Sequence, residues 1–366
     1  MAEVHIVEPT LADQAGHCHG YVQSLVEANS SEDLKLHVWL DRRGDQLYSG
    51  LPIQKHTYFS QRWRQYQKWW CLRSLLRDQK HIFIPTAGRI DLLYLNWLLR
   101  SEKHTGKIFL HFHQFRVTDE KIKLLKKIAK RHPEFIMMAP TEGLLSLFQA
   151  CGFSHCEYVP CPSYAPQEES GKNPAQFEKV IFAGAARSDK GFSEVVRFAE
   201  YITERSPSIS LEFQISPPHS GRYDKASEAA LSQLKNLPHP HLVLHEKTLD
   251  HAAYQALYVN AIGLLIYDPT SYRHKFSGIA LDAFYAGCPV IAMADTWAGD
   301  TTKRFEAGIV ITERSPEDIF LAMETIRKNY LYYHHNAKEA GRVLQKEHDP
   351  RNTWRVIKAY LSMSDS

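Results

Sequence analysis

The stretch of this chain best suited to chemistry surrounds Ser277. Residues 261–295, AIGLLIYDPTSYRHKFSGIALDAFYAGCPVIAMAD, pass from an apolar run of strand length into a polar, broken segment, and then into helical apolar spacing. Gly287 stops that helix before a second buried strand, Pro289 to Ala292. A helix that starts at Phe276, Ser277 and Gly278 turns unpaired backbone N–H groups and the positive end of its dipole toward the preceding loop. Such a start is a natural diphosphate site. A second candidate is Ile108 to His113, IFLHFH, an extended strand in which His111 and His113 share one face. At the end of a parallel strand such a histidine points into the crevice where ligands bind; the plain alternative is a polar residue capping a strand end. Between Pro9 and Gly20, Gly16 and Gly20 follow the first strand and allow close backbone approach, so Gly16 and His17 are candidate acceptor-binding residues, with a structural turn the equal alternative.

Two of these stretches resemble a known family. HKFSGIALDAFYAGCPVIA, His274 to Ala292, resembles the donor segment of GT-B glycosyltransferases of the large family-four type, usually written EGFGLxxLEAMAxGxPVIA. In that family the first acid meets the donor sugar, the helix start meets the diphosphate and the second acid meets the nucleotide ribose. Here His274 stands at the first position and Asp282 at the second. His274 can donate as well as accept, which implies either a donor sugar other than plain glucose or mannose, or an acid elsewhere in the loop.

Upstream, KVIFAGAARSDKGFSEVVRFAEYI, Lys179 to Ile202, is similar to the family's strand, G-R-x-x-x-x-K-G and helix. Gly184, Lys190 and Gly191 keep the spacing, Ala185 occupies the arginine position, and Arg187 is the nearest substitute. Cations there would stabilise a leaving nucleoside diphosphate; a solvated strand-to-helix loop is the plain alternative. The family also places a histidine at the end of a first-domain strand near sugar and acceptor, and His113 matches that position better than His111.

The resemblance implies an α/β protein of two Rossmann-like, doubly wound parallel-sheet domains facing each other across a cleft. It implies a hexosyl- or related glycosyltransferase with a nucleotide-sugar donor and a glycan or lipid-linked acceptor in surface polysaccharide or glycolipid synthesis. Configuration would be retained, with no metal and no cofactor. A nucleotide-sugar epimerase and a non-catalytic binding protein on the same fold stay open, because fold does not fix function.

The rest of the chain must position these residues. At 366 residues it is about twice a typical domain, and 44% hydrophobic with 23% charged residues is a globular composition. A net charge of +3 gives no argument for nucleic acid, and no apolar run spans a bilayer. The start lacks a signal peptide, so a cytoplasmic protein is expected, at most at the inner membrane face. The six cysteines contain no C-x-x-C pair, which predicts reduced thiols, and His17-Cys18-His19 has no partner pair to complete a metal site.

Strands expected at Val4–Val7, Leu36–Leu40, Ile82–Pro85, Lys107–Phe112 and Phe135–Met138 alternate with helices, as do Val180–Ala183, Leu211–Ile215, Leu242–His245, Ala261–Tyr267, Val290–Met293 and Gly308–Ile311. Pro162–Phe177, rich in Pro, Ser, Gly and charge and poor in apolar residues, has the composition of a linker. With it the resemblance implies an acceptor domain (1–165), a linker (166–177), a nucleotide-sugar domain (178–345) and a C-terminal helix (346–366) that returns to the first domain.

Residues 58–80, YFSQRWRQYQKWWCLRSLLRDQK, set Arg62, Arg64, Lys68, Arg73, Arg77 and Lys80 among Trp63, Tyr66, Trp69, Trp70 and leucines. With the basic helix Glu120–Arg131, this suits peripheral contact with an anionic membrane or a lipid-linked acceptor. The alternative is an amphipathic helix whose aromatics and leucines are core.

Overall fold

The structure is a computed structural model, and it describes residues 2–13, 17–29, 34–100, 104–113, 115–163, 175–216 and 223–362. The chain forms two compact units: Met1–Tyr164 with Glu347–Ser366, and Ala165–Lys346. Most of the expected linker, and Gly16, lie outside the described residues.

The first unit contains strands β1 (Ala2–Val7), β2 (Leu34–Asp41), β3 (Ile53–Phe59), β4 (His81–Ile84), β5 (Ile108–His111), β6 (Ile136–Ala139) and β7 (His155–Tyr158). They form one seven-stranded sheet in the order β3-β2-β1-β4-β5-β6-β7, with every pair parallel. Parallel pairing requires crossovers, and helices supply them on both faces. On one face, Leu72, Leu75 and Leu76 of helix Arg64–Arg77, Leu92 and Leu95 of Arg89–Leu98, and Leu125 and Ile128 of Asp119–Arg131 pack on the sheet with Ile82, Ile84 and Leu110. The last helix, Pro350–Ser362, belongs to this unit: the Trp354 indole donates to the Leu25 carbonyl at 2.7 Å, and the Tyr360 hydroxyl to Glu157 at 2.6 Å.

The second unit contains β8 (Lys179–Phe182), β9 (Ser210–Gln214), β10 (Leu242–His245), β11 (Ala261–Leu265), β12 (Val290–Met293) and β13 (Gly308–Ile311). Its sheet runs β10-β9-β8-β11-β12-β13, again all parallel. In both sheets the strand order reverses once, between β1 and β4 and between β8 and β11. Ligands of such sheets bind beyond the carboxyl ends of the strands at that reversal.

Two features differ from the sequence reading. Strands β3 and β7 are additional, and both are edge strands. Lys68, expected on a wet basic face, is buried in an ion pair with Asp91, whose other oxygen accepts from the Gly88 amide at 2.9 Å. Burial of that ammonium is tolerable because its charge is matched.

Candidate active site

In the second unit the loop after β8 and the loop after β11 meet at the reversal point. Gly191 ends the first loop with φ +72°, and a Cβ there would stand 1.8 Å from the Ile266 carbonyl oxygen just beyond β11. Only glycine permits both the left-handed backbone and that approach. Gly184, with φ +99°, lies under two groups: a Cβ would be 2.6 Å from the Lys190 ammonium and 2.5 Å from Ile279 Cδ1 in the first turn of helix Gly278–Tyr285. The Lys190 charge and the Ile279 side chain, from the first turn of that helix, therefore meet over one bare glycine. Two further bonds tie the loops: the Asp268 amide donates to the Asp189 carbonyl at 3.0 Å, and Lys275 Nζ lies 3.6 Å from the Asp189 carboxylate.

The helix start is built as its sequence requires. Ser277 is the N-cap, its Oγ accepting from the Ala280 amide at 3.2 Å, and Tyr267 braces that hydroxyl at 3.2 Å. The amides of Gly278 and Ile279 precede any helical acceptor, as in every first turn. A Cβ on Gly278 would meet nothing within 4 Å, so packing does not demand a glycine there. Burial first, then the neighbouring Arg187 charge, pushes the Lys190 ammonium down to about 8. An anion beside it would restore the charged form. Arg187 itself grips Asp189 with two hydrogen bonds, one of them 2.8 Å from Nε to Oδ1. To reach a phosphate it must share or exchange that partner. Asp189 is a residue the sequence reading passed over, although it lies between the two cations.

Asp282 sits one turn further along the helix. The Tyr254 hydroxyl donates to it at 2.9 Å, and the Tyr258 hydroxyl donates to Tyr254 at 2.6 Å. Burial raises the Asp282 carboxyl to about 6, against the stabilising Tyr254 bond. The two tyrosines carry no local sequence signal. His274 and Phe276 lie in the segment between helix Pro269–Tyr272 and the Ser277 cap, and the Phe276 ring packs edge-on against Trp297 with centroids 4.8 Å apart. Arg187, Lys190, His274, Phe276, Ser277, Gly278 and Asp282 thus all belong to the loops and helix at one end of one sheet.

In the first unit, His111 ends β5 and is fully buried, with its Nδ1 2.5 Å from the Tyr21 hydroxyl; burial holds it down to about 3, so it is neutral. His113 lies two residues past the strand, its ring 4.7 Å from Tyr21 and 5.3 Å from His111. The sheet's reversal point carries Glu8, directly after β1 and fully buried. Its carboxylate accepts from the Thr10 amide at 3.1 Å, the Thr10 hydroxyl at 2.6 Å and the Thr86 hydroxyl beyond β4. An acid immediately after the first strand was a readable signal that the sequence analysis did not use. His17 opens helix His17–Ala28.

Glu3, His5 and His37 bring three ligand-type atoms within 4.8 Å of one another. Their hydrogen bonding does not suit a cation. The Trp39 indole donates to His5 Nδ1 at 3.1 Å, so the neutral ring carries its proton on Nε2, and Glu3 is held by Lys35 at 2.8 Å and Lys80 at 2.9 Å. A cavity of 620 Å³ bounded by Gly106, Ile108, His132 and Tyr360 lies at the amino-terminal end of β5, the opposite end from the one at which parallel sheets bind ligands.

No family model matches the chain, and no curated protein matches it in sequence. Its architecture does match solved structures. The sucrose-phosphate synthase of Thermosynechococcus elongatus aligns with a TM-score of 0.73 at 14% identity, covering 99% of this chain and 100% of that one. Anabaena HepE in complex with UDP-glucose aligns at 0.71 and 12%, covering 99% and 100%. The trehalose-6-phosphate synthase OtsA aligns at 0.70 and 12%, covering 98% and 99%. Two doubly wound parallel sheets, matched along almost the whole chain, give this protein the GT-B fold of those glycosyltransferases.

Proposed function

We propose that the chain is a glycosyltransferase that moves a hexosyl or related sugar from a nucleoside-diphosphate sugar to a glycan or lipid-linked acceptor, with retention of configuration. The synthesis of surface polysaccharide or glycolipid is the setting this reading implies, and a lipid-linked acceptor would bring residues 58–80 to a membrane surface. The observation that carries the proposal is that the Lys190 ammonium meets, over Gly184, the side chain of Ile279 from the first turn of helix Gly278–Tyr285, which brings a cation beside a helix start at the reversal point of the second sheet. Cation and helix dipole both favour charge developing on a departing diphosphate. Further support comes from matched structures that contain UDP and UDP-glucose.

In this reading Arg187, Lys190, Phe276, Ser277 and Gly278 hold the diphosphate, Asp282 the ribose and His274 the sugar. His113, with Gly16 and His17, serves the acceptor. The nucleoside diphosphate leaves as the glycosidic bond to the acceptor oxygen forms, and the acceptor proton is released. The reading requires neither a metal nor a cofactor from the residues named.

Thermal-shift titration with UDP, UDP-glucose and uridine tests it. A charge-assisted contact contributes about 1.5–3 kcal/mol, so Lys190→Ala should weaken UDP binding roughly tenfold to a hundredfold and leave uridine binding nearly unchanged. Equal losses for both ligands would remove the diphosphate assignment. Product analysis with UDP-sugars separates transfer, which consumes acceptor, from epimerisation, which does not.

A further inference from the structure

Large aromatic side chains are exposed together on one face of the first unit. Trp63, Tyr66 and Trp70 are 58%, 62% and 40% exposed, and on the adjacent helix Arg89–Leu98, Trp97 is 54% exposed beside exposed Ile90 and Leu93. Four of the rings form one patch: Trp69 joins Trp70 at 4.7 Å and Trp97 at 5.5 Å, and Tyr66 meets Trp70 at 6.2 Å. Leu72, Leu75, Leu76, Leu92, Leu95 and Leu98 of the two helices are already in the core, and of these aromatic rings only Trp69 packs against it.

The charge around them is mostly positive, with Asp78, which pairs with Arg77, and Asp119 and Glu120 as the exposed acids of the neighbouring segments. The Arg62 guanidinium lies over Trp63 at 5.5 Å, and Arg73 over Trp70 at 5.1 Å. Within the helices Arg64–Arg77 and Arg89–Leu98 the only acid is Asp91, buried on Lys68. The next helix on the same sheet face, Asp119–Arg131, adds exposed Lys123, Lys126, Lys127 and Lys130.

We propose that this face docks on an anionic bilayer, with Trp63, Trp70 and Trp97 in the headgroup region and the arginines and lysines on acidic headgroups. Indole rings favour that boundary because one edge is apolar and the other donates a hydrogen bond, and cations add attraction to an anionic leaflet. The same positive charge opposes a second copy docking face to face. No helix among the described residues is long and apolar enough to cross a membrane, so the contact is interfacial. The inference deepens the lipid-linked acceptor of the proposed function, but it is read out separately from donor binding.

Sedimentation of the full chain with vesicles tests it, using three parts phosphatidylcholine to one part phosphatidylglycerol beside phosphatidylcholine alone. The chain should bind the anionic vesicles more tightly, and Trp63→Ala/Trp70→Ala/Trp97→Ala should lower partitioning by about tenfold or more. The variant should keep its melting temperature and its response to UDP. If it folds poorly, Arg62→Glu/Arg73→Glu supplies the same test through charge. Failure of the unmodified chain to bind anionic vesicles, unchanged binding by the variants, or self-association that the tryptophan variant abolishes would each overturn the proposal. Loss of UDP binding in the unmodified chain would instead remove the donor-site reading and leave this one standing.

Discussion

Two glycines in the candidate donor site do opposite kinds of work, and substitution separates them. At Gly191 a methyl group would meet the Ile266 carbonyl at 1.8 Å on a backbone of φ +72°, so backbone must move as well as strain. Gly191→Ala should cost about 3–5 kcal/mol, at the severe end for a point change. At Gly278 the methyl group meets no protein atom within 4 Å, and alanine in a first helical turn reduces the entropy lost on folding. Gly278→Ala should leave stability unchanged or raise it by about 0.5 kcal/mol, yet weaken UDP roughly tenfold by standing between phosphate and amide. Scanning calorimetry and titration calorimetry on the same two variants check both halves. Tight UDP binding by Gly278→Ala would exclude the helix start as the phosphate site. The glycine, lysine and capping serine were legible because each answers a local backbone or charge requirement. Asp189's bond to Arg187 and Tyr254's bond to Asp282 were not, since partner choice depends on packing that spacing alone does not encode.

Strands β1, β2 and β3 carry a ladder of histidines on one face. His5 stacks on His37 at 4.3 Å, its register partner, and Trp39 stacks on His56 at 4.2 Å, likewise in register; His37 Nδ1 and His56 Nε2 are 3.1 Å apart. Burial, then the neighbouring His37, holds His5 down to about 3, and burial lowers His37 and His56 as well. The unfolded chain therefore binds more protons than the folded one below the ordinary histidine range. Stability is full above about pH 6.5 and is lost as pH falls toward 3; for His5 alone the loss from pH 7 to 5 is about 2 kcal/mol. His5→Asn keeps an acceptor for the Trp39 indole but cannot titrate, so denaturant unfolding at the two pH values should show a shallower slope. An equal slope would mean the ladder does not govern acid stability. The same strands explain why the sheet was only partly readable. Central strands such as Ile82–Ile84 and Val290–Met293 are continuous apolar runs because both faces are covered. Edge strands β3 and β7 are half exposed and mix His, Lys, Thr and Glu, so no apolar run announces them.

On the scale of the whole molecule, the two units differ in how the chain builds them. Residues 165–346 form the second unit as one continuous segment, with its own apolar layers on both sides of the sheet: Phe182, Phe192 and Phe213 on one, and Leu265, Phe284 and Val290 on the other. Every residue assigned to the donor lies within it. The first unit is discontinuous, since Trp354 and Tyr360 from the end of the chain donate to Leu25 and Glu157. Residues 165–346 expressed alone should therefore fold and bind UDP within a few-fold of the full chain, gaining about 2.7 kcal/mol at a UDP concentration one hundred times Kd. Residues 1–164 alone should unfold at lower denaturant than the same segment joined through a linker to 347–362, because the buried Trp354 indole and its acceptor lose each other. Denaturant titration of the three proteins, each with and without UDP, decides the matter. If 165–346 folds but ignores UDP, the phosphate site needs something outside that sheet, and the convergence over Gly184 is a packing detail rather than a binding site.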